Sequence, residues 1–399
     1  MTRWLVAVAL LAACRGSEHR IAKRDAGSAP ALHVSVPTLP LSPDGVAELR
    51  NLDKRIELYR DKPERLLAHL MERAWIRGHL EDYQRALDIS AALVEHEPDN
   101  ADAWLARVQA LSHVHEFQNA RKALQRVAAL QPTAITEPDL AIAEGMGERE
   151  RALAGRQELA KLLPNPQNLT LLAADLAALG RFDEAIALIP RAAAAIRHNP
   201  PQLIAWLLFQ WGRIYEQKGE LAAARAFYTE AHARLPGYVE ATSHLAQTMK
   251  ATGDSAGARS LVEAALVDNR HPELLALAAE LGHPELAAEA QREWERYVAA
   301  LPLAFSDHVA RFYLGVGRDA PRAFSLARIN HANRDTHEAR ALYVETALAA
   351  NDPMAACVVA TPLASSGVRA HRFLAWKALS RCGRRAEADR LATELGIAH

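Results

Sequence analysis

Tyr83, Ala86 and Pro98 recur as Phe117, Ala120 and Pro132, a step of 34 residues at three independent positions. A fixed step between about 20 and 50 residues means that one supersecondary unit is repeated along the chain. Each unit has an apolar face that it cannot bury alone, so neighbours must stack into a quasi-linear solenoid. This constraint outranks length. At 399 residues a chain ordinarily divides into more than one compact domain, but a solenoid grows by addition and escapes that rule.

The clearest copy runs over residues 205–238. Trp211 and Tyr215 lie four apart on one face of a first helix, with Gly212 where a second helix must come close. Gly219 supplies the φ > 0 turn that ends the helix. Ala224, Tyr228 and Ala231 follow at helical spacing on the second helix, and Pro236 blocks its continuation. Residues 101–134 repeat the pattern with Trp104, Val108, Leu111, Phe117, Ala120, Leu124, Val127 and Pro132; residues 239–272 repeat it with Leu245, Ala246, Met249, Gly253, Ala258, Val262, Ala265 and Pro272. Weaker copies centre on Gly180, on Trp294 and on Trp376. The 135–165 copy lacks the aromatic positions, the 272–302 unit is short, and 306–365 reads as helical pairs in poor phase.

The pattern resembles the tetratricopeptide repeat. The resemblance implies an all-α, right-handed solenoid of antiparallel helix pairs over residues 46–396, about ten pairs at this step. It also implies a concave groove lined by first-helix positions. Carried onto 205–238, those positions are Trp206, Phe209, Arg213 and Glu216; on 101–134 they are Asp102, Leu105, Gln109 and His113. Aromatics and arginine are residue types that anchor partners, although Trp206 and Phe209 also fit packing between neighbouring repeats. The family's chaperone-tail clamp uses lysine and asparagine here. This chain has Trp75, Gln109, Arg213 and Gln247 at the asparagine-equivalent sites, so that specificity is not expected.

Composition narrows the function. With 47 basic against 48 acidic residues, no basic face for nucleic acid is indicated. Seventeen histidines invite a metal reading, but no H-E-x-x-H, C-x-x-C or phosphate-binding glycine loop occurs, and no Gly-x-Ser-x-Gly elbow. The expectation is a non-enzymatic binding scaffold with no catalytic residue, metal or cofactor. A rival reading makes the repeats the platform of an enzyme, or of a protein that binds glycans or small molecules.

The N-terminus sets an address. Arg3 precedes an apolar run, Trp4 to Ala13, and then Cys14. The run has the form of a secretory signal and is too short to span a bilayer, which takes about 20 residues. Leu11-Ala12-Ala13-Cys14 resembles a bacterial lipobox, which implies a signal peptide over 1–13 and lipidation (palmitate among the acyl chains) at Cys14. With Arg15 following, the resemblance implies an outer-membrane lipoprotein facing the periplasm. Residues 14–45, with Pro37, Pro40 and Pro43, read as the lipidated cysteine and a flexible tether. The remaining cysteines, Cys357 and Cys382, lie on consecutive helices; a disulfide between them and two buried free thiols both fit. The expected partner is an envelope protein or peptide, with membrane contact through the lipid.

Overall fold

The computed structural model describes residues 36–397. The fold is an all-α solenoid of tetratricopeptide type. Among the described residues there are 21 α-helices and no strand. A lone helix, Gly45–Leu58, precedes ten antiparallel pairs. Their first helices begin at Pro63, Ala101, Thr136, Pro166, Pro201, Val239, Pro272, Pro302, His337 and Arg369. From 63 to 369 is 306 residues in nine steps, or 34 per step. Two steps, from Thr136 and from Pro272, are 30 residues; each is about one helical turn short, and these are two of the three stretches where the sequence pattern is irregular.

The Pro201–Lys218 and Leu221–Arg234 helices show how one pair is built. Gly219 stops the first helix at φ 88°. Gly212 leaves room for the Tyr228 ring, whose edge lies 2.5 Å from where a Cβ would sit. Ala224 and Ala231 are fully buried where the two backbones meet. Trp211 Nε1 donates to Thr170 Oγ1 at 3.0 Å, tying the pair to the preceding Pro166–Ala178 helix.

A second level of order is superimposed on the repeat. Arg77 pairs with Asp268 at 2.6 Å, and Asn269 Nδ2 donates to the Arg77 carbonyl at 2.8 Å. His115 Nδ1 lies 3.1 Å from the Leu303 carbonyl, Asp335 N donates to the Met146 carbonyl, and Arg149 pairs with Glu338 at 2.8 Å. Sequence separations along this series are 191, 192, 188 and 189 residues. The contacts advance along both halves in the same direction. The chain therefore completes one superhelical lap in roughly five and a half repeats, and the second lap lies directly on the first. Gly180 and Gly367 meet backbone to backbone at this seam; a Cβ on Gly367 would stand 2.2 Å from the Leu179 carbonyl oxygen.

The described part of the segment read as a tether is docked. Leu39 is buried, Arg234 Nη1 donates to the Pro40 carbonyl at 2.8 Å, and Asn199 donates to the Leu41 carbonyl. Residues 36–44 lie on the second lap because Leu39 has an apolar core to join, shared with Leu52, Leu66 and Trp206. Cys14 and residues 1–35 lie outside the described residues. Cys357 and Cys382 are joined, with an S–S distance of 2.07 Å and Cα atoms 6.2 Å apart. Among the described residues no helix is long and apolar enough to cross a membrane.

Candidate binding site

The predicted groove positions divide into two groups. Trp206, Phe209 and Arg213 are buried, at 2, 0 and 4 % exposure. Phe209 is enclosed by the rings of Tyr228, Tyr238 and His244 at 5.6, 5.3 and 5.2 Å. The first lap closes over this helix: Leu66, Leu70 and Trp75 share one apolar core with Trp206 and Phe209. On 205–238 the groove positions therefore pack within the protein and do not line an open face. Leu105 and Gln109, on the Ala101–His113 helix, stay partly exposed. Leu105 packs at the edge of the cluster around Phe117 and Leu124.

The open part of the inner face lies one to three repeats further on. There Trp75, Gly78 and Tyr83 of the first lap face the Val239–Ala251, Pro272–Glu280 and Pro302–Leu314 helices of the second. They enclose a concavity of about 1030 Å³, counted to its open mouth. The first-helix logic is preserved in it. Moving Trp206, Phe209 and Arg213 forward by 34 gives Glu240, Ser243 and Gln247; the next step, of 33 residues, gives Glu273, Ala276 and Glu280. All six line the concavity. The sequence signal was thus present in the repeat spacing, at copies later than the aromatic-rich one.

Aromatic walls and ionisable groups converge there. Phe305 meets Tyr83 edge-on at 5.9 Å, and His308 stacks on Trp294 at 5.7 Å. Burial pushes the Glu240 carboxyl up to about 7, against the opposing pull of His308, Arg213 and the Tyr238 hydroxyl. Its one hydrogen bond is a long one from Tyr238, 3.3 Å. Burial also acts to raise Glu273, but there His308, with Nδ1 3.8 Å away, outweighs it and leaves the carboxyl below its ordinary value. Burial drives His271 down to about 3, so it is a neutral ring at physiological pH.

Two of the predicted residues support this site from behind. Glu216 accepts from Tyr228 Oη at 2.6 Å and lies 2.9 Å from Nδ1 of His244, which lines the concavity. Burial opposes its ionisation, yet the charge and hydrogen bond of His244 with the help of Arg213 hold it below the usual carboxylate range. Arg213 contributes charge to Glu216 and Glu240, while its Nε and Nη1 have no hydrogen-bond partner. No group of three His, Cys, Asp or Glu side chains among the described residues is placed to hold a metal ion.

Residues 166–237 and 215–281 each match a tetratricopeptide repeat model. Residues 166–281 carry tetratricopeptide repeats. The two matched segments hold the whole buried Pro201–Lys218 helix and the first two helices of the concavity's second-lap wall. Among solved structures the chain is similar to one of the APC/C hetero-tetramer Cut9–Hcn1, at 13 % identity and a TM-score of 0.48, over 86 % of this chain and 66 % of that one. It is also similar to one of Naa15/Naa10 bound to HypK-THB, at 13 % identity and a TM-score of 0.30, over 87 % of this chain and 65 % of that one. The chain spans just under two thirds of the length of each. No curated protein sequence matches it.

Proposed function

We propose that this protein is a lipid-anchored tetratricopeptide repeat scaffold of the bacterial cell envelope, held at the outer membrane through Cys14 and binding a protein or peptide from the periplasm. The repeats support an interaction scaffold. The observation that carries the reading is the inner-face concavity, where Glu240, Glu273 and Arg311 converge between aromatic walls on a repeat fold. Such a site is a default candidate for ligand binding. The anchor rests on the Leu11-Ala12-Ala13-Cys14 segment and its apolar leader. Growth with a tagged fatty acid tests it: label is expected on the wild type and absent from Cys14→Ser, and equal labelling of both removes the anchor. Capture from envelope extracts tests the scaffold, which is wrong if no specific protein or peptide is retained.

The same convergence of ionisable groups supports a second reading, a small-molecule or glycan site, with catalysis as a variant of it. Thermal-shift titration with amino acids and glycan fragments separates the two. A saturable shift from a small ligand, with no protein captured, favours the second.

A further inference from the structure

Two charges in the concavity make no ion pair with any described residue, although Arg213 and His308 act on Glu240 from a distance. Glu240 makes no ion pair and receives only the long Tyr238 hydrogen bond. Lys250 is engaged with the neighbouring Glu280 at 2.6 Å, so it does not serve Glu240. Arg311 lines the same concavity and lends charge to Asp307, four residues earlier on its helix, without an ion pair to any described residue. Glu240 and Arg311 do not neutralise one another, because they lie beyond ion-pair distance. Both side chains are only part-buried, so a ligand that closes the concavity must bring a complement to each charge it takes out of water. The walls add to this. Trp75, Ser243 and Trp294 are at least nine-tenths buried, and each holds a polar atom with no hydrogen-bond partner. All three line the concavity, and the indole N–H groups call for acceptor oxygens such as peptide carbonyls. Tyr83 and Phe305 offer rings against which the stem of a long cationic side chain packs.

We propose that the concavity binds a peptide end whose terminal residue carries a free carboxylate and a basic side chain, with Arg311 taking the carboxylate and Glu240 the cation. Arginine suits the first role because its planar fork matches a carboxylate in two parallel hydrogen bonds. A C-terminal lysine or arginine supplies both charges within one residue. The site draws on both laps, Trp75 and Tyr83 from the first and Glu240, Phe305 and Arg311 from the second, so ligand binding also fastens one lap to the other. This assignment rests on the scaffold reading, and its test is separable from it.

The test is calorimetric titration of the full-length mature protein in detergent with four probes: acetyl-Ala-Ala-Lys with a free carboxylate, its C-terminal amide, the norleucine analogue, and free lysine. The acid peptide is expected to bind at least tenfold more tightly than each of the others. Glu240→Gln should abolish discrimination between lysine and norleucine, and Arg311→Gln should abolish discrimination between acid and amide. Urea midpoints of both variants report folding, and if either fails to fold, the four probes on the wild type decide. Equal binding of all four probes, or no binding of any, overturns the proposal; free lysine binding as tightly as the tripeptide overturns its peptide part. Retention of a captured envelope partner by both variants defeats this site while leaving the scaffold intact. Failure of the wild type to capture anything defeats the scaffold itself.

Discussion

Adding one methyl group at Gly367 should destabilise the protein by forcing the two laps apart. A Cβ there would stand 2.2 Å from the Leu179 carbonyl oxygen and 2.9 Å from Gly180 Cα, where ordinary contact begins at 3.4 Å. The obstacle is backbone on both sides, so no rotamer relieves it, and the laps must separate by about 1 Å at that point. A gap of that size forfeits roughly a quarter to a half of each dispersion contact it opens. Overpacking of this kind costs about 1–3 kcal/mol, and a broken seam hydrogen bond such as Asp335 N to Met146 O adds about 1 kcal/mol. Gly367→Ala is therefore expected to cost about 2–4 kcal/mol. Gly219→Ala is the control: Gly219 has φ 88° but no atom within 4 Å of its Cβ position, so only the left-handed conformation is penalised, by about 1 kcal/mol. Gly147→Ala combines both, with φ 91° and the Asp335 carbonyl oxygen 2.4 Å away, and should be the worst of the three. Equilibrium urea unfolding followed by circular dichroism gives the midpoints at a common slope. If Gly367→Ala costs no more than Gly219→Ala, the laps do not touch as described.

Two further outcomes are expected. Phe209→Ala removes a fully buried ring and should cost about 3–5 kcal/mol, whereas Gln109→Ala, at a partly exposed groove position of an earlier repeat, should fall within about 0.5 kcal/mol of wild type; similar midpoints for the two would return Phe209 to an open groove. Glu240 should make stability depend on pH. Its carboxyl titrates near 7 in the folded protein against an ordinary 4.5, so below pH 4.5 it is protonated in both states and its contribution is full. As pH rises to 7 the unfolded chain sheds a proton that the folded chain keeps, and stability falls by about 1.4 kcal/mol per unit before levelling off. Glu240→Gln should remove that decline, on the order of 2–3 kcal/mol between pH 5 and 7.5; parallel pH profiles for the two proteins would refute the assignment.

The helix pairs were legible because they are made by contacts within one repeat, and local spacing encodes those directly. Gly219, Tyr228 and Ala231 do in the structure what their positions in the sequence imply. The lap-on-lap stacking was not legible, because the residues that meet lie some 190 positions apart and leave no periodic trace. Gly147 and Gly180 take positive φ where helices end, and nothing local announces that each also admits a second backbone. The same non-local stacking covers the groove positions of the aromatic-rich copy, where Trp206 and Phe209 pack under the first lap. The less conspicuous copy, with Glu240, Ser243 and Gln247 at the equivalent places, is the one left open.

Stacked laps change what the repeat can tolerate. In an ordinary solenoid a unit may be gained or lost with only its two neighbours affected, and length drifts freely. Here the seam partners are fixed by counting. Deleting one 34-residue unit from the middle of the chain would bring Arg77 opposite the residue now numbered 302 in place of Asp268, and would misalign the seam pairs that span the deletion. Whole-repeat insertions and deletions should therefore be accepted near the C-terminus, beyond the last seam contact at Gly367, and refused between the laps. The number of repeats in this protein is held by its own second turn.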